Sequence, residues 1–182
     1  MKRLPLIAFL VICMAVLSAC KMSTWDTYTD WRNENVAYVA TQEARIDEAT
    51  GKPYYTKIVP SWDASKYVLV HWFNDTMKTK DNLQPFVTST VDVKYYGKNI
   101  YGAAFDSSYA STSPADSIYR TVLTGVIDGW KIALMKMHVG DTVEVVVPYE
   151  SGYGSATTGS LNPYSTLVFG IKFKRIESLY KK

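Results

Sequence analysis

Apolar and polar positions along this chain follow three successive patterns. Residues 4–17 form a run of apolar residues behind Lys2 and Arg3. The run is shorter than the ~20 residues that a bilayer-spanning helix needs. Residues 27–49 then carry helical spacing. Tyr28, Trp31, Asn35, Tyr38 or Val39, Gln42 and Ile46 fall near one face at steps of three and four. No proline interrupts this stretch, and Gly51-Lys52-Pro53 closes it, because glycine releases a helix and proline cannot continue one. The helix packs on the following domain or on a partner. Residues 54–62 contain Pro60 and read as an extended linker.

From residue 67 the period shortens to two. Residues 67–73 are rich in β-branched and aromatic side chains and predict a strand. In residues 87–96, Val91, Val93 and Tyr95 share one face. Val143, Val145 and Val147 alternate with Thr142, Glu144 and Val146 until Pro148 stops them. Leu167, Phe169, Ile171 and Phe173 alternate with Val168, Gly170, Lys172 and Lys174. One apolar and one mostly polar face suit an antiparallel sheet covered on one side. A single stripe at helical spacing, Trp130, Ala133, Leu134 and Met137, interrupts the strands. Asp128 is placed to cap its start and Gly140 to end it. Strands plus one packed amphipathic helix predict an α+β domain with an N-terminal helical extension.

Composition and charge sharpen the picture. Hydrophobic residues make up 47% and charged residues 20% of the 182, so the chain can build a core. The formal charge is +3, but two of the twenty basic residues and none of the seventeen acidic ones lie in residues 1–19. Without that stretch the balance is +1, which gives no argument for nucleic acid. The apolar run ends in Leu17-Ser18-Ala19-Cys20, which resembles the lipobox of bacterial lipoproteins. That resemblance implies cleavage before Cys20 and acylation of its thiol and new amino group. An ordinary secretory leader or a weak N-terminal anchor is the alternative. Cys13 would leave with the leader and Cys20 would carry lipid, so no thiol remains for a disulfide, a metal or a nucleophile. The boundaries that follow are a leader at 1–19, a lipidated tether, helix and linker at 20–64, the main domain at 65–177 and a basic tail at 178–182.

Familiar catalytic machinery is absent from the sequence. The two histidines are His71, within a predicted strand, and His138, at a predicted helix end where a cation suits the dipole. No HExxH and no cysteine pair occurs, and Ser151-Gly152-Tyr153-Gly154-Ser155 is not a nucleophile elbow. No metal or cofactor is expected. Any reaction this chain catalyses must need little acid–base chemistry.

Four ordered blocks fit that requirement. They are Val91-Asp92-Val93-Lys94-Tyr95-Tyr96-Gly97 with Phe105-Asp106-Ser107-Ser108; Val126-Ile127-Asp128-Gly129-Trp130; Met137-His138-Val139-Gly140-Asp141 with Val147-Pro148 and Tyr153-Gly154; and Asn162-Pro163-Tyr164-Ser165-Thr166-Leu167-Val168-Phe169. In this order they resemble the FKBP family, the macrolide-binding peptidyl-prolyl cis-trans isomerases. The resemblance covers about residues 65–176. It implies a bent antiparallel sheet wrapped around the Trp130 helix. It implies that Tyr95, Phe105, Trp130 and Phe169 line a proline pocket with Trp130 as its floor. Val126 and Ile127 would form its edge, with the Ile127 N–H donating to a substrate carbonyl. The Tyr153 hydroxyl would donate to a ligand carbonyl, Asp106 would sit at the rim, and Leu161 would lie on the flap. Read without the blocks, Trp130, Phe105 and Phe169 are also plausible core residues, and Asp106 could simply cap its turn.

The sequence also departs from the family. Residues 109–125 lack the usual pattern, with Tyr119 the only aromatic near the expected place. The flap carries Ser160 where isoleucine is common and Asn162 in place of a proline, and Gly170 replaces an acidic residue. The floor therefore matches while rim and flap differ. The leading expectation is a lipid-anchored isomerase in a bacterial envelope, acting on proline-containing polypeptides and able to take macrolides. A chaperone or binding module using the same groove without catalysis is the alternative. Lys21 after the cysteine, instead of the aspartate that retains lipoproteins at the inner membrane, points to the outer membrane.

Overall fold

The computed structural model describes residues 27–111 and 116–179. Helix α1 runs over Thr29–Glu43. Strands follow at β1 (Thr56–Ile58), β2 (Val68–Trp72), β3 (Thr90–Lys98) and β4 (Ala104–Ser107). After the short α2 (Ser108–Ser111) come β5 (Tyr119–Val122) and α3 (Asp128–Leu134), then β6 (Thr142–Val147) and β7 (Leu167–Ser178). The strands form one seven-stranded antiparallel sheet in the order β1-β2-β6-β7-β3-β4, with β5 also pairing β3. Bulges in the β3–β7 ladder between Thr90 and Val91 and between Asp92 and Val93 help to bend it. The proposed leader 1–19, Cys20 and residues 180–182 of the tail lie outside the described residues.

The inner face is built as the alternation predicts. Val91, Val93 and Tyr95 from β3, Val143, Val145 and Val147 from β6, and Leu167, Phe169, Ile171 and Phe173 from β7 are all buried together. Trp130, Ala133, Leu134 and Met137 of the α3 stripe close this core, each no more than 4% exposed. The capping differs from expectation. Ile127 holds the N-cap position without a side-chain bond, and Asp128 is already the first helical residue. Its carboxylate instead takes Lys66 at 2.9 Å and Lys131 at 3.0 Å. The helix ends at Leu134, and Gly140 (φ +98°) makes the turn before β6.

Two further differences lie on the outer face. Residues 56–58 are not only a linker, because they pair with β2 through Thr56–Val70, Lys57–Leu69 and Ile58–Val68. The outer face is also not left to solvent along its whole length. Leu69, Val146 and Val168 point outward yet are buried beneath Val39 of α1 and Tyr55. Helix α1 turns the predicted stripe toward the sheet: Asn35 and Val39 are buried, and Tyr28, Trp31, Tyr38 and Gln42 half-buried. Ile46 lies past the helix end and is exposed. Of the two expected docking modes, α1 takes the one onto its own domain.

A polar contact fixes the register of that docking. The fully buried Asn35 side chain accepts the Thr166 N–H at 2.7 Å and donates to the Trp31 carbonyl at 2.7 Å. Substituting Asn35→Ala leaves the Thr166 donor buried without a partner, which costs about 1–3 kcal/mol. A lower denaturation midpoint at unchanged slope is the expected result.

Across β3, β5 and β7 a second contact holds the sheet edge. The buried Asp92 carboxylate takes Arg120 at 2.7 Å and Arg175 at 2.7 Å. The Arg120 bond is the main cause holding Asp92 below the usual carboxylate range, and Arg175 adds to it against the cost of burial. A depressed folded value means the contribution is present above the unfolded value of ~3.9 and is lost as pH falls through the folded one. Unfolding stability measured between pH 5 and pH 2 should therefore drop less steeply in Asp92→Asn than in the parent, on the order of one proton's slope.

Candidate functional site

Between the α3 side of the core and the β3–β4–β5 edge lies a cavity of about 170 Å³. Its floor is the Trp130 indole, only 4% exposed. Tyr95 meets that ring nearly perpendicular at 4.9 Å between centroids, and Phe169 does so at 5.4 Å. Such edge-to-face packing directs positive ring edges at negative faces and locks each ring. Phe105 stands behind, perpendicular to Phe169 at 5.6 Å. Gly97 permits this closeness: a Cβ there would lie 2.6 Å from the Phe105 ring and 2.9 Å from Phe169.

The wall carries polar groups. The Tyr95 hydroxyl donates to Asp106 at 2.7 Å, and the Ser107 N–H donates to the other carboxylate oxygen at 2.8 Å. Burial first, and then the bond to Asp106, raises the Tyr95 phenol above its ordinary value. Burial likewise raises Tyr153, with Asp106 and Tyr119 adding to it. Both phenols are therefore neutral donors at ordinary pH. Among the described residues the Tyr153 hydroxyl and the Ile127 N–H bond to no protein group, and both residues line the cavity. The buried Trp130 indole N–H also lacks a partner.

Seven of the nine residues expected at the pocket line this cavity: Tyr95, Asp106, Val126, Ile127, Trp130, Tyr153 and Phe169. Phe105 supports Phe169 without lining it. Leu161 does not reach the cavity either. It is buried in the main core and pins the flap through a two-bond bridge with Thr158. Sequence reasoning left out Tyr119 and Gly125, which complete the lining. Tyr119 packs 5.4 Å from Tyr95 and 6.2 Å from Trp130, and its signal was its place as the only aromatic near the expected position. Gly125 gave no signal. The Gly170 departure does not touch the pocket. It lies on the outer face beneath the Tyr96 ring, and a Cβ there would come within 2.3 Å of it.

Among the described residues no cluster of three or more His, Cys, Asp or Glu could hold a metal ion. The site offers an aromatic slot with polar groups on its wall, unpaired donors that include the Ile127 N–H and the Tyr153 hydroxyl, and no nucleophile poised beside a base. It can bind and orient a small apolar ring flanked by carbonyls.

Residues 82–174 match the family described as FKBP-type peptidyl-prolyl cis-trans isomerase. The chain is 43% identical over 93 residues to the FKBP-type 22 kDa peptidyl-prolyl cis-trans isomerase of Escherichia coli K12, covering 50% of this chain and 43% of that protein. It is 34% identical over 133 residues to FkpA of the same organism, covering 72% of this chain and 47% of FkpA. It is 38% identical over 89 residues to the outer membrane protein MIP of Legionella longbeachae, covering 48% of this chain and 36% of that protein. The match thus spans less than half the length of each of these relatives. The crystal structure of FkpA shares the fold, with a TM-score of 0.66 at 22% identity over 98% of this chain and 76% of that chain.

The closeness at Gly97 yields a direct test. Gly97→Ala forces Phe105 and Phe169 apart, and overpacking of this kind costs about 1–3 kcal/mol. Lower stability together with a changed near-ultraviolet circular dichroism signal from Trp130 is expected.

Proposed function

This chain belongs to the FKBP-type peptidyl-prolyl cis-trans isomerase family, and we propose that it catalyses rotation about Xaa-Pro bonds in the Trp130-floored cavity. The observation that carries this reading is the pairing of an aromatic slot with two unoccupied donors, the Ile127 N–H and the Tyr153 hydroxyl. A cavity of about 150 Å³ is large enough to admit a benzene ring, so the volume here is large enough for a pyrrolidine ring, with polar as well as aromatic groups around it.

The chemistry needs no covalent step. Amide resonance sets a barrier of ~18–20 kcal/mol, and uncatalysed exchange takes on the order of tens to hundreds of seconds. The twisted amide is less charge-separated than the planar one, so an apolar aromatic enclosure favours it. Only that preference for the transition state accelerates the reaction, and each ~1.4 kcal/mol of it is tenfold in rate. In this reading Ile127 and Tyr153 hold the carbonyls flanking the proline, Val126 shapes the edge, and Asp106 orients the Tyr95 ring. Phe105 supports the pocket from behind, and Leu161 anchors the flap in the core.

Substrates would be proline-containing polypeptides, with macrolides as possible competitors for the slot. Placement in the bacterial envelope, through lipid on Cys20 at the outer membrane, is supported by the leader pattern and by the likeness to a relative named as an outer membrane protein. Among the described residues no helix is long and apolar enough to cross a membrane. Lipid chains would hold the protein to a surface without spanning it. Assistance to folding of exported proteins is the role this placement fits. The exposed flap, residues 155–160, favours a second reading in which the groove binds chains without turning them over.

Isomerisation of short peptides varying the residue before proline separates the two. The full chain should catalyse the exchange. Tyr153→Phe should lower kcat/KM about two- to tenfold, the worth of one hydrogen bond of ~0.5–1.5 kcal/mol. Trp130→Leu should lower it further while circular dichroism shows the sheet intact. A folded parent that binds these peptides but accelerates none of them would leave only the binding reading.

A further inference from the structure

Helix α1 does more than cover the sheet, because its first turns reach the loop that carries Tyr153. The Arg32 guanidinium donates twice to the Tyr149 hydroxyl, from Nη2 at 3.0 Å and from Nε at 3.2 Å. Its central carbon lies 5.5 Å from the Tyr149 ring centroid and 5.8 Å from that of Tyr164. The two rings meet perpendicular, 5.4 Å apart. One cation thus touches both legs of the loop 149–164.

The backbone closes the same neck. The Gly154 N–H donates to the Tyr149 carbonyl at 2.9 Å, and the Tyr164 N–H donates to the Gly154 carbonyl at 2.8 Å. Tyr153, which lines the cavity, is the residue before Gly154. Tyr164 itself sits at φ +61°, a left-handed conformation that a bulky residue holds only under constraint from its surroundings. Those surroundings include Arg32 and, two residues on, the buried Asn35–Thr166 bond from the same helix.

We infer that Arg32 is a positioning residue for the pocket. From α1 it clamps the neck of the 149–164 loop and so fixes the Tyr153 hydroxyl that meets the substrate. The inference rests on the cavity being the isomerase site. Loosening the clamp lets Tyr153 wander, and its bond to the substrate carbonyl is made in ground state and transition state alike. The loss should therefore fall on KM more than on kcat.

The test uses the full chain and its Arg32→Ala, Arg32→Lys and Tyr149→Phe variants, with substrate-dependent isomerisation kinetics and amide hydrogen exchange. Arg32→Ala should raise KM about three- to tenfold with kcat within about twofold. Arg32→Lys keeps the charge over the rings and should recover part of that loss. The Gly154 and Tyr164 amides should exchange faster in Arg32→Ala, while amides of β6 and β7 keep parental rates. Parental KM and parental exchange at those two amides in a folded Arg32→Ala would overturn the clamp, as would a loss confined to kcat. If Arg32→Ala does not fold, Tyr149→Phe decides, because it removes only the accepting hydroxyl. It must shift KM in the same direction, and a parental KM overturns the inference. A parent without catalysis would refute the isomerase reading instead, and the exchange rates would still decide the clamp.

Discussion

The edge-on contact of Trp130 with Tyr95 and Phe169 is the interaction on which the rest of the molecule depends. A bent sheet presents a broad inner face, and α3 has only seven residues with which to cover it. Ile132, Ala133 and Leu134 fill the middle of that face. At the helix N-terminus a single indole must bridge to two strands. It seals the core and also meets Tyr119 of β5 at 6.2 Å, and the space left between these rings and Asp106 of β4 is the cavity. Core and pocket therefore share Tyr95, Trp130 and Phe169, so the pocket floor is held by the packing of the core itself.

The outer face answers a different problem. Sheets covered on one side alternate apolar and polar residues, whereas strands buried on both sides read as continuous apolar runs. Val68-Leu69-Val70 and Val145-Val146-Val147 are such runs, and Val168 extends the row onto β7. Helix α1 covers that row. Farther along the same face the row of His71, Glu144, Gly170 and Tyr96 stays polar or aromatic. There the missing Cβ of Gly170 lets Tyr96 lie flat where a longer side chain would stand. A departure from family pattern that suggested an altered site is thus a packing choice on the far side of the sheet.

The difference between what could be read from sequence and what could not follows from the range of the forces involved. Periodicity of two and of 3.6 reports burial, so the strands β2, β3, β6 and β7 and the stripe of α3 were legible. Strand β1 has three residues, too few for any period, and takes its identity from pairing with β2. Asp128 looked like a cap because caps are local, but Lys66, far off in sequence, competes for its carboxylate. At the site, the residues with distinctive chemistry or size were found, while Gly125 lines the cavity with backbone alone and left no trace. Leu161 shows the converse: an apolar residue on a flap can anchor that flap in the core rather than face the ligand.

Under the proposed activity, amide rotation explains why such a site tolerates change at its rim. No bond is broken, so no nucleophile or base has to be held to a fraction of an ångström. In the proposed reading, preference for the twisted amide comes from the enclosing floor, which the core fixes. In that reading the rim supplies only grip on the flanking chain, through the Ile127 N–H and the Tyr153 hydroxyl, and grip can be redistributed among loop residues. In this chain the loop 149–164 is tied to a helix outside the matched family segment, through Arg32 and Asn35. The N-terminal extension is therefore energetically part of the domain: it buries the apolar row on the outer face and braces the loop on the inner one. The floor answers to the strands and α3, the Ile127 side of the rim to the start of α3, and the Tyr153 side to the loop that α1 contacts. On the proposed activity and the inferred clamp, substrate grip can vary through α1 while the rotation chemistry stays with Trp130.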